Sequence, residues 1–422
     1  MSDNPVKDFK EADFSKENYN SFDLHRPFVD DIVLVAPSGK KMFREKALID
    51  VWFDSGAMPY AQHHYPFENP DVFTHLFPAD YISEGVDQTR GWFFTLHTIA
   101  VMLYDSVAFK NIISHGLVLD KDGNKMSKRL GNVIDPFAAI EEHGSDPLRW
   151  YMTTNAQPWD NLKFDLEGLK EVKRKFFGTL FNTYAFFTLY ANIDGFAYSE
   201  TEIPLKERPE IDQWIISLLN SLIKETESYY EDYEPTRAGR AIQHFVTENL
   251  SNWYVRLNRK RFWGGGYSRD KISAYQTLYK CLETVAQLMA PLSPFYADKL
   301  FKDLNRVTAR FREESVHLCR FPKYNEDHIN TELEARMDIA QRVSSMVLSL
   351  RRKVNIKVRQ PLNKILLPIV NKTFKNQFEA VRNLVLTEVN VKAVEYISDT
   401  SDLLVKKVKP NFKKLGPKHG KL

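Results

Sequence analysis

The feature that most limits the fold is a helical spacing that takes over the chain from about Leu166. Leu169, Val172, Phe176 and Phe177 recur at intervals of three and four, and Leu180 and Tyr184 continue the stripe. Trp214, Leu218, Leu219 and Leu222 repeat the pattern. Pro235 opens a third helix through Ala241, Phe245 and Trp253, and Leu278, Leu282, Val285 and Leu288 mark a fourth, ended by Ala290-Pro-Leu-Ser-Pro294. A further helix spans about 331–355. Such spacing puts apolar groups on one face of a 3.6-residue helix. Pro and Gly stand only at the ends, which predicts an antiparallel bundle whose stripes are core. At 422 residues the chain is too long for one ordinary core, so two to four domains are expected.

Ahead of the bundle the period changes. Strand, helix, strand, loop and helix follow one another across 78–142, the order of the second half of a nucleotide-binding Rossmann-type sheet. Ile82 ends a short apolar strand, Gly85 permits backbone approach to a ligand, and Asp87 is expected to cap a helix running to about Tyr104. Residues 1–50 hold short β-like pieces such as Ile32-Val-Leu-Val35 and a turn at Pro37-Ser-Gly39. After the bundle, alternation at Ile365-Leu-Leu-Pro-Ile369 and a short helix around Phe374–Leu386 predict a small α/β piece. The fold class is therefore α/β plus all-α.

Composition narrows the function classes. Hydrophobic residues at 43% and charged residues at 27% are globular values. A net charge of +3 neither demands nor excludes nucleic acid. Two cysteines, Cys281 and Cys319, make neither a disulfide framework nor a four-cysteine zinc site. No apolar run reaches membrane-span length, and Ser2 to Asn20 is polar and acidic rather than a signal sequence. A soluble cytoplasmic protein with reduced thiols is expected.

Three strings carry chemistry. In Ser114 to Pro136 an apolar run and a polar turn lead to a loop with Lys125, Lys128 and Arg129; Asp135 then offers an N-cap, with Pro136 in the first turn. Such cations are either a solvated basic surface or a lid that closes over a polyphosphate. Asp50-Val-Trp-Phe-Asp-Ser-Gly-Ala-Met-Pro59 suggests a strand end opening onto a pocket, with Trp52 either core or pocket wall. In Asp80 to Phe94 a carboxylate at Glu84 suits an ammonium group, while Asp87 or Gln88 suit ribose hydroxyls; capping and solvation are the plainer readings. His115 near the second strand's end faces the nucleotide or the core.

Lys125-Met-Ser-Lys-Arg129, followed by Leu-Gly-Asn132, resembles the KMSKS signature of class I aminoacyl-tRNA synthetases. Glu84-Gly-Val-Asp-Gln-Thr-Arg-Gly-Trp92 resembles the motif of their isoleucine-specific branch, Glu-Gly-x-Asp-Gln-x-Arg-Gly-Trp. The resemblance covers nearly the whole chain, with motifs in the right order. It implies ATP, with magnesium, and isoleucine as substrates, tRNA(Ile) as partner, and a monomer. Residue by residue, it implies catalytic roles for Lys125 and Lys128. Adenylate contacts fall to Glu84, Gly85, Asp87, Gln88, Lys128 and His115, and the isoleucine pocket to Trp52 and Trp92. Domains are expected at 1–145 (catalytic half), 146–205 (stem-contact segment), 206–330 (anticodon-binding bundle) and 331–422 (last bundle helix, start of a C-terminal junction, basic tail). Some relatives carry a cysteine zinc knuckle near the first turn. Here Ala36-Pro-Ser-Gly-Lys40 has no cysteine and His25, His63 and His64 lack paired spacing, so no metal is expected.

Arg256, Arg259, Lys260 and Trp263 fall at i, i+3, i+4 and i+7, one helix stripe. Cations beside an aromatic either grip phosphate and stack on an unpaired base or are a plain solvated face; similarity to the class I anticodon-binding bundle favours tRNA. The tail at 401–422 sets seven lysines against Asp402, and Gly416-Pro-Lys-His-Gly-Lys421 is too short for a P-loop. The chain has no His-x-Gly-His, the family's ATP-phosphate motif, and no inserted editing domain. It reads as a carboxy-terminal fragment, inactive alone in adenylation but able to bind tRNA. Without editing it could not be faithful, because binding separates isoleucine from valine only about 10²-fold, a figure already established for these enzymes. The rival readings are a ligase for valine or leucine and a non-catalytic RNA-binding module.

Overall fold

The computed structural model describes residues 8, 10, 12, 13, 15–21, 25–30, 32–47, 50–369 and 371–397, so the lysine-rich tail and its Gly416–Lys421 string lie outside the described residues. The chain divides into two units, Met1–His115 and Gly116–Leu422.

In the first unit, α1 (Lys16–Asn20) starts at Ser15, whose hydroxyl accepts from the Asn18 amide. The turn expected at Pro37 forms a hairpin: β1 (Val33–Val35) runs antiparallel to β2 (Lys41–Phe43), and Gly39 takes φ +77° to close it. The helices α2 (Val51–Gly56), α3 (Met58–Ala61) and α4 (Pro70–Leu76) follow. Then β3 (Ala79–Gly85), a 3₁₀ turn (Val86–Arg90), α5 (Trp92–Tyr104) and β4 (Phe109–His115) make one right-sized crossover unit. The two strands pair in parallel from Ala79↔Phe109 to Gly85↔His115. Leu96, Ala100 and Ala108 form their small core, with Phe77, Ile82, Trp92 and Phe109 against it.

The second unit opens with β5 (Val118–Leu119), parallel to β6 (Leu162–Lys163). Between them lie α6 (Pro136–His143) and α7 (Ser145–Asn155). Asp135 caps α6 as expected, accepting from the Phe137 amide at 2.9 Å. The bundle then runs through α8 (Leu166–Val172), α9 (Gly178–Asp194), α10 (Glu210–Glu231), α11 (Pro235–His244), α12 (Arg256–Trp263), α13 (Arg269–Met289), α14 (Pro294–Thr308) and α15 (Thr331–Lys353). Two stretches, Lys173–Phe177 and Phe245–Val255, are π-helical, so the first and third expected helices are each continuous but wound more loosely in part. The spacing-derived stripes are core: Leu169, Phe176, Leu180, Trp214, Leu278, Leu282, Val285 and Leu288 are all fully buried. Each such side chain contributes about 1.5–3 kcal/mol. β7 (Leu362–Pro368), α16 (Lys372–Val389) and β8 (Val391–Ile397) complete the small α/β piece, its strands parallel.

Two features tie the second unit together. Trp150 of α7 stacks on Phe176 at 4.2 Å between centroids and donates to Gln243 Oε1 at 2.9 Å. Gly239 of α11 gives α7 room, since a Cβ there would stand 2.7 Å from Thr154 Cγ2. Deep in the bundle, fully buried Asp212 accepts from Tyr254 (2.8 Å), Ser273 (2.6 Å) and both terminal nitrogens of Arg261 (2.7 and 2.9 Å). Burial, with the Asp212 charge second, holds the Tyr254 hydroxyl well above its ordinary range.

Candidate functional site

In the first unit, Glu84 and Gly85 end β3, and the register sets Gly85 beside His115 at the end of β4. The carboxyl ends of parallel strands are where open α/β sheets present groups to ligands. Glu84 is exposed there, and His115 is half-buried rather than a core histidine. Asp87 does not cap α5. The chain makes a 3₁₀ turn first, Gly91 (φ −131°, ψ −115°) breaks it, and α5 begins at Trp92, beyond Asp87's reach. Gln88 takes the role instead: its Oε1 accepts from the Trp92 amide at 3.0 Å, and its Nε2 donates to Asp87 Oδ2 at 3.2 Å.

Trp52 lies on a helix, not at a strand end, because Asp50 caps α2 by accepting from the Trp52 amide at 3.0 Å. It is 43% exposed, so it is not a core residue. A Cβ on Gly91 would stand 3.2 Å from Trp52 Cη2, and Trp92 Nε1 donates to the Ser55 carbonyl at 2.9 Å. The packing of α2 on α5 thus gathers both tryptophans around the turn that carries Asp87 and Gln88.

Lys125, Lys128 and Arg129 belong to the second unit. All three are exposed, and none forms an ion pair among the described residues. Met126 turns inward instead, onto the apolar cluster of Leu148, Tyr151, Leu162, Phe164 and Leu169. Lys128 opens a 3₁₀ turn (Lys128–Leu130) capped by Ser127 and closed by Gly131 at φ +66°. Asp120, before the loop, accepts from Asn132 and from the Asn124 and Asp122 amides, which hold its carboxyl below the usual carboxylate range.

The basic stripe on α12 is split. Arg259, Lys260 and Trp263 are exposed, Trp263 by 55%. Arg256 is half-buried: it pairs with Glu388 of α16, donates to the Asn252 carbonyl at 2.8 Å and lies 5.6 Å over Trp253. Spacing alone could not show a partner so far along the chain. A cavity of about 1550 Å³ in the same unit sets Lys206, Arg208, Lys280, Arg310, Arg320 and Lys323 among Glu202, Glu207, Glu313 and Asp327, with Arg208 paired to Glu202 and Arg310 to Glu283. Mixed charge of that kind makes no single-signed field for phosphate. Among the described residues no three His, Cys, Asp or Glu side chains gather as a metal set, and no helix is long and apolar enough to cross a membrane.

Known proteins match both units. A family described as tRNA synthetases class I (I, L, M and V) matches residues 2–165, and the anticodon-binding domain of tRNA ligase matches residues 212–367. The chain is 64% identical, over 425 aligned residues, to an isoleucine–tRNA ligase of Bacteroides fragilis, covering 100% of this chain and 37% of that protein. With the Thermus thermophilus enzyme of the same name it shares 43% over 401 residues, 95% of this chain and 38% of that one. The chain therefore spans somewhat over a third of the length of these relatives. Among solved structures, a LeuRS of Agrobacterium radiobacter in ternary complex with tRNA and LeuAMS matches with TM-score 0.55 at 19% identity, over 71% of this chain and 36% of that one. A Mycobacterium tuberculosis methionyl-tRNA synthetase with methionyl-adenylate matches with TM-score 0.51 at 22% identity, over 60% and 49%. These two likenesses establish the fold.

Proposed function

We propose, for a chain that belongs to the isoleucine-specific tRNA synthetases of class I, that it serves as part of a longer ligase joining isoleucine to tRNA(Ile). In the first step the isoleucine carboxylate attacks the α-phosphate of ATP, supplied as its magnesium salt, and pyrophosphate leaves. Glu84 takes the ammonium group. Gly85 leaves room for the ligand backbone, and Asp87 and Gln88 position the ribose, with His115 at the same strand end. Trp52 and Trp92 wall the aliphatic side chain. Lys125 and Lys128 neutralise charge as it develops on the phosphates. In the second step a terminal ribose hydroxyl of the tRNA attacks the adenylate carbonyl. Arg259, Lys260 and Trp263 offer the tRNA cations and a stacking face; Arg256 supports them from its pair with Glu388. The functional domains run 1–145, 146–205, 206–330 and 331–422, the first extending past His115 because the lysine loop serves the adenylating half. The ligase works as a cytoplasmic monomer.

One observation carries this reading: Glu84 and Gly85, within a string that fits the isoleucine-type motif, end a parallel strand beside His115. No observation favours a valine or leucine ligase or a non-catalytic RNA-binding module. Isoleucine-dependent ATP–pyrophosphate exchange tests it. The chain alone, lacking His-x-Gly-His, gives no exchange. In the longer ligase Lys128→Ala lowers the adenylation rate by at least about 10²-fold; an unchanged rate removes Lys128 from the chemistry.

A further inference from the structure

The loop carrying Lys125 and Lys128 is drawn shut by one pair of side chains. Asn132 Nδ2 donates to Asp120 Oδ2 at 2.9 Å, so the residues at the two ends of the loop hold each other directly. Both also reach inward. Asp120 Oδ1 accepts from the backbone amides of Asp122 at 3.0 Å and Asn124 at 2.8 Å. Asn132 Oδ1 accepts from the Ser127 amide at 2.9 Å, and its Nδ2 also donates to the Lys125 carbonyl at 3.3 Å. Ser127 Oγ in turn accepts from the Leu130 amide at 3.3 Å, which fixes the turn that begins at Lys128. The backbone of Lys125, which also bridges to Leu119, and the residue before Lys128 thus share one amide side chain, and that side chain is held by one carboxylate.

The two residue types are not interchangeable. An ionised carboxylate accepts only, and four donors point at Asp120: the Asp122 amide, the Asn124 amide, Asn124 Nδ2 and Asn132 Nδ2. Position 132 needs an acceptor for Ser127 and a donor for both Asp120 and the Lys125 carbonyl, which a primary amide supplies in one group. Inside the clip Met126 takes an apolar seat, Gly123 and Ser127 are half-buried, and the other residues, Leu130 among them, are exposed. Without the clip the two ammonium groups would sample many positions. With it they project from a fixed backbone, and fixed placement of charge is what electrostatic catalysis requires.

We infer that Asp120 and Asn132 are positioning residues for Lys125 and Lys128, fixing the loop backbone so that both ammonium groups are presented together. The inference deepens the ligase reading above and rests on it. Neither residue touches substrate; each acts through the loop.

The test uses three variants of the longer ligase, Asp120→Asn, Asn132→Asp and the double exchange, together with Lys128→Ala. Asp120→Asn sets amide nitrogen against amide nitrogen, and Asn132→Asp sets carboxylate against carboxylate. The double exchange restores the donor–acceptor bond between 120 and 132 and keeps the acceptor for the Ser127 amide. Three quantities are read: kcat for isoleucine-dependent pyrophosphate exchange, the rate of trypsin cleavage after Lys125, Lys128 and Arg129 mapped by mass spectrometry, and the melting temperature. Each single variant should lower kcat by about 10²-fold, the scale of a 1 Å misplacement. Each should also speed cleavage within the loop without moving the melting temperature, and the double exchange should recover both readouts in part, since it leaves the Lys125 carbonyl without its side-chain donor. Single variants with parental kcat and parental cleavage would overturn the inference, as would a double exchange no better than the singles. Lys128→Ala separates the two levels. If it leaves kcat unchanged, the catalytic role given to Lys128 above fails, while the cleavage rates still decide whether the clip holds the loop.

Discussion

The bundle and the first unit use the same kinds of side chain and bury them very differently. In α13 every residue from Ser273 to Met289 except Lys280 is buried, because neighbouring helices surround it. In α5, the more apolar of the two, Phe93, Leu96, Ile99 and Ala100 are covered, while Phe94, Val101, Met102 and Leu103 stand open, Met102 by 77%. The strands beside it show the same thing, with Tyr81 and Ile112 exposed by 42% and 46%. Parallel strands ordinarily lie between two covering layers, and apolar surface this extensive marks a face that another surface covers. The helices of the bundle cover one another's apolar faces. Among the described residues, α5 and the two strands of the first unit leave one face open.

That contrast can be broken by experiment. Hydrogen exchange should separate the two regions most: central amides of α13 should exchange at least about 10³-fold more slowly than those of β3 and β4. Similar protection in both would mean that the first unit is as cooperative as the bundle. Next in size, Arg261→Met strands the Asp212 carboxylate among Tyr254 and Ser273 without its cation. Removing one partner of a buried pair should cost the bundle about 3–5 kcal/mol in denaturant unfolding, with exchange in β3 and β4 unmoved. Smallest, Met102→Ser in the chain alone should change stability by less than about 0.5 kcal/mol. A loss well above that would show that α5 has a covered face there after all.

Sequence reading recovered most of the bundle because spacing and terminal prolines are local signals. Pro235 begins α11, and Ala290-Pro-Leu-Ser-Pro294 ends α13. The same string also starts α14, which the periodicity reading passed over although Pro294 sits at its first turn. The motif strings placed the end of β4 near His115 but stopped the strand before it at Ile82, whereas β3 runs on to Gly85, because a glycine reads as a break although it pairs here with His115. What was illegible depended on partners distant in sequence or on turn type. Nothing near Asp87 announces that Gly91 interrupts the winding and hands the cap to Gln88. Nothing near Arg256 announces Glu388. The clip between Asp120 and Asn132 left a faint trace, an Asp opening a polar turn and an Asn closing a glycine turn, but only coordinates join the two.

The eleven residues from Phe245 to Val255 are wound with i→i+5 hydrogen bonds and feed directly into α12. A looser coil takes more residues per turn, so this stretch works as a gear between the buried start of the helix and its cationic end. In an ordinary α-helix the loss of one residue turns everything downstream by about 100° around the axis. Here the loose coil could absorb such a loss by tightening to the ordinary pitch, so Arg259, Lys260 and Trp263 would keep close to their present direction. The direction of this face is thus set by winding as well as by the positions of its side chains.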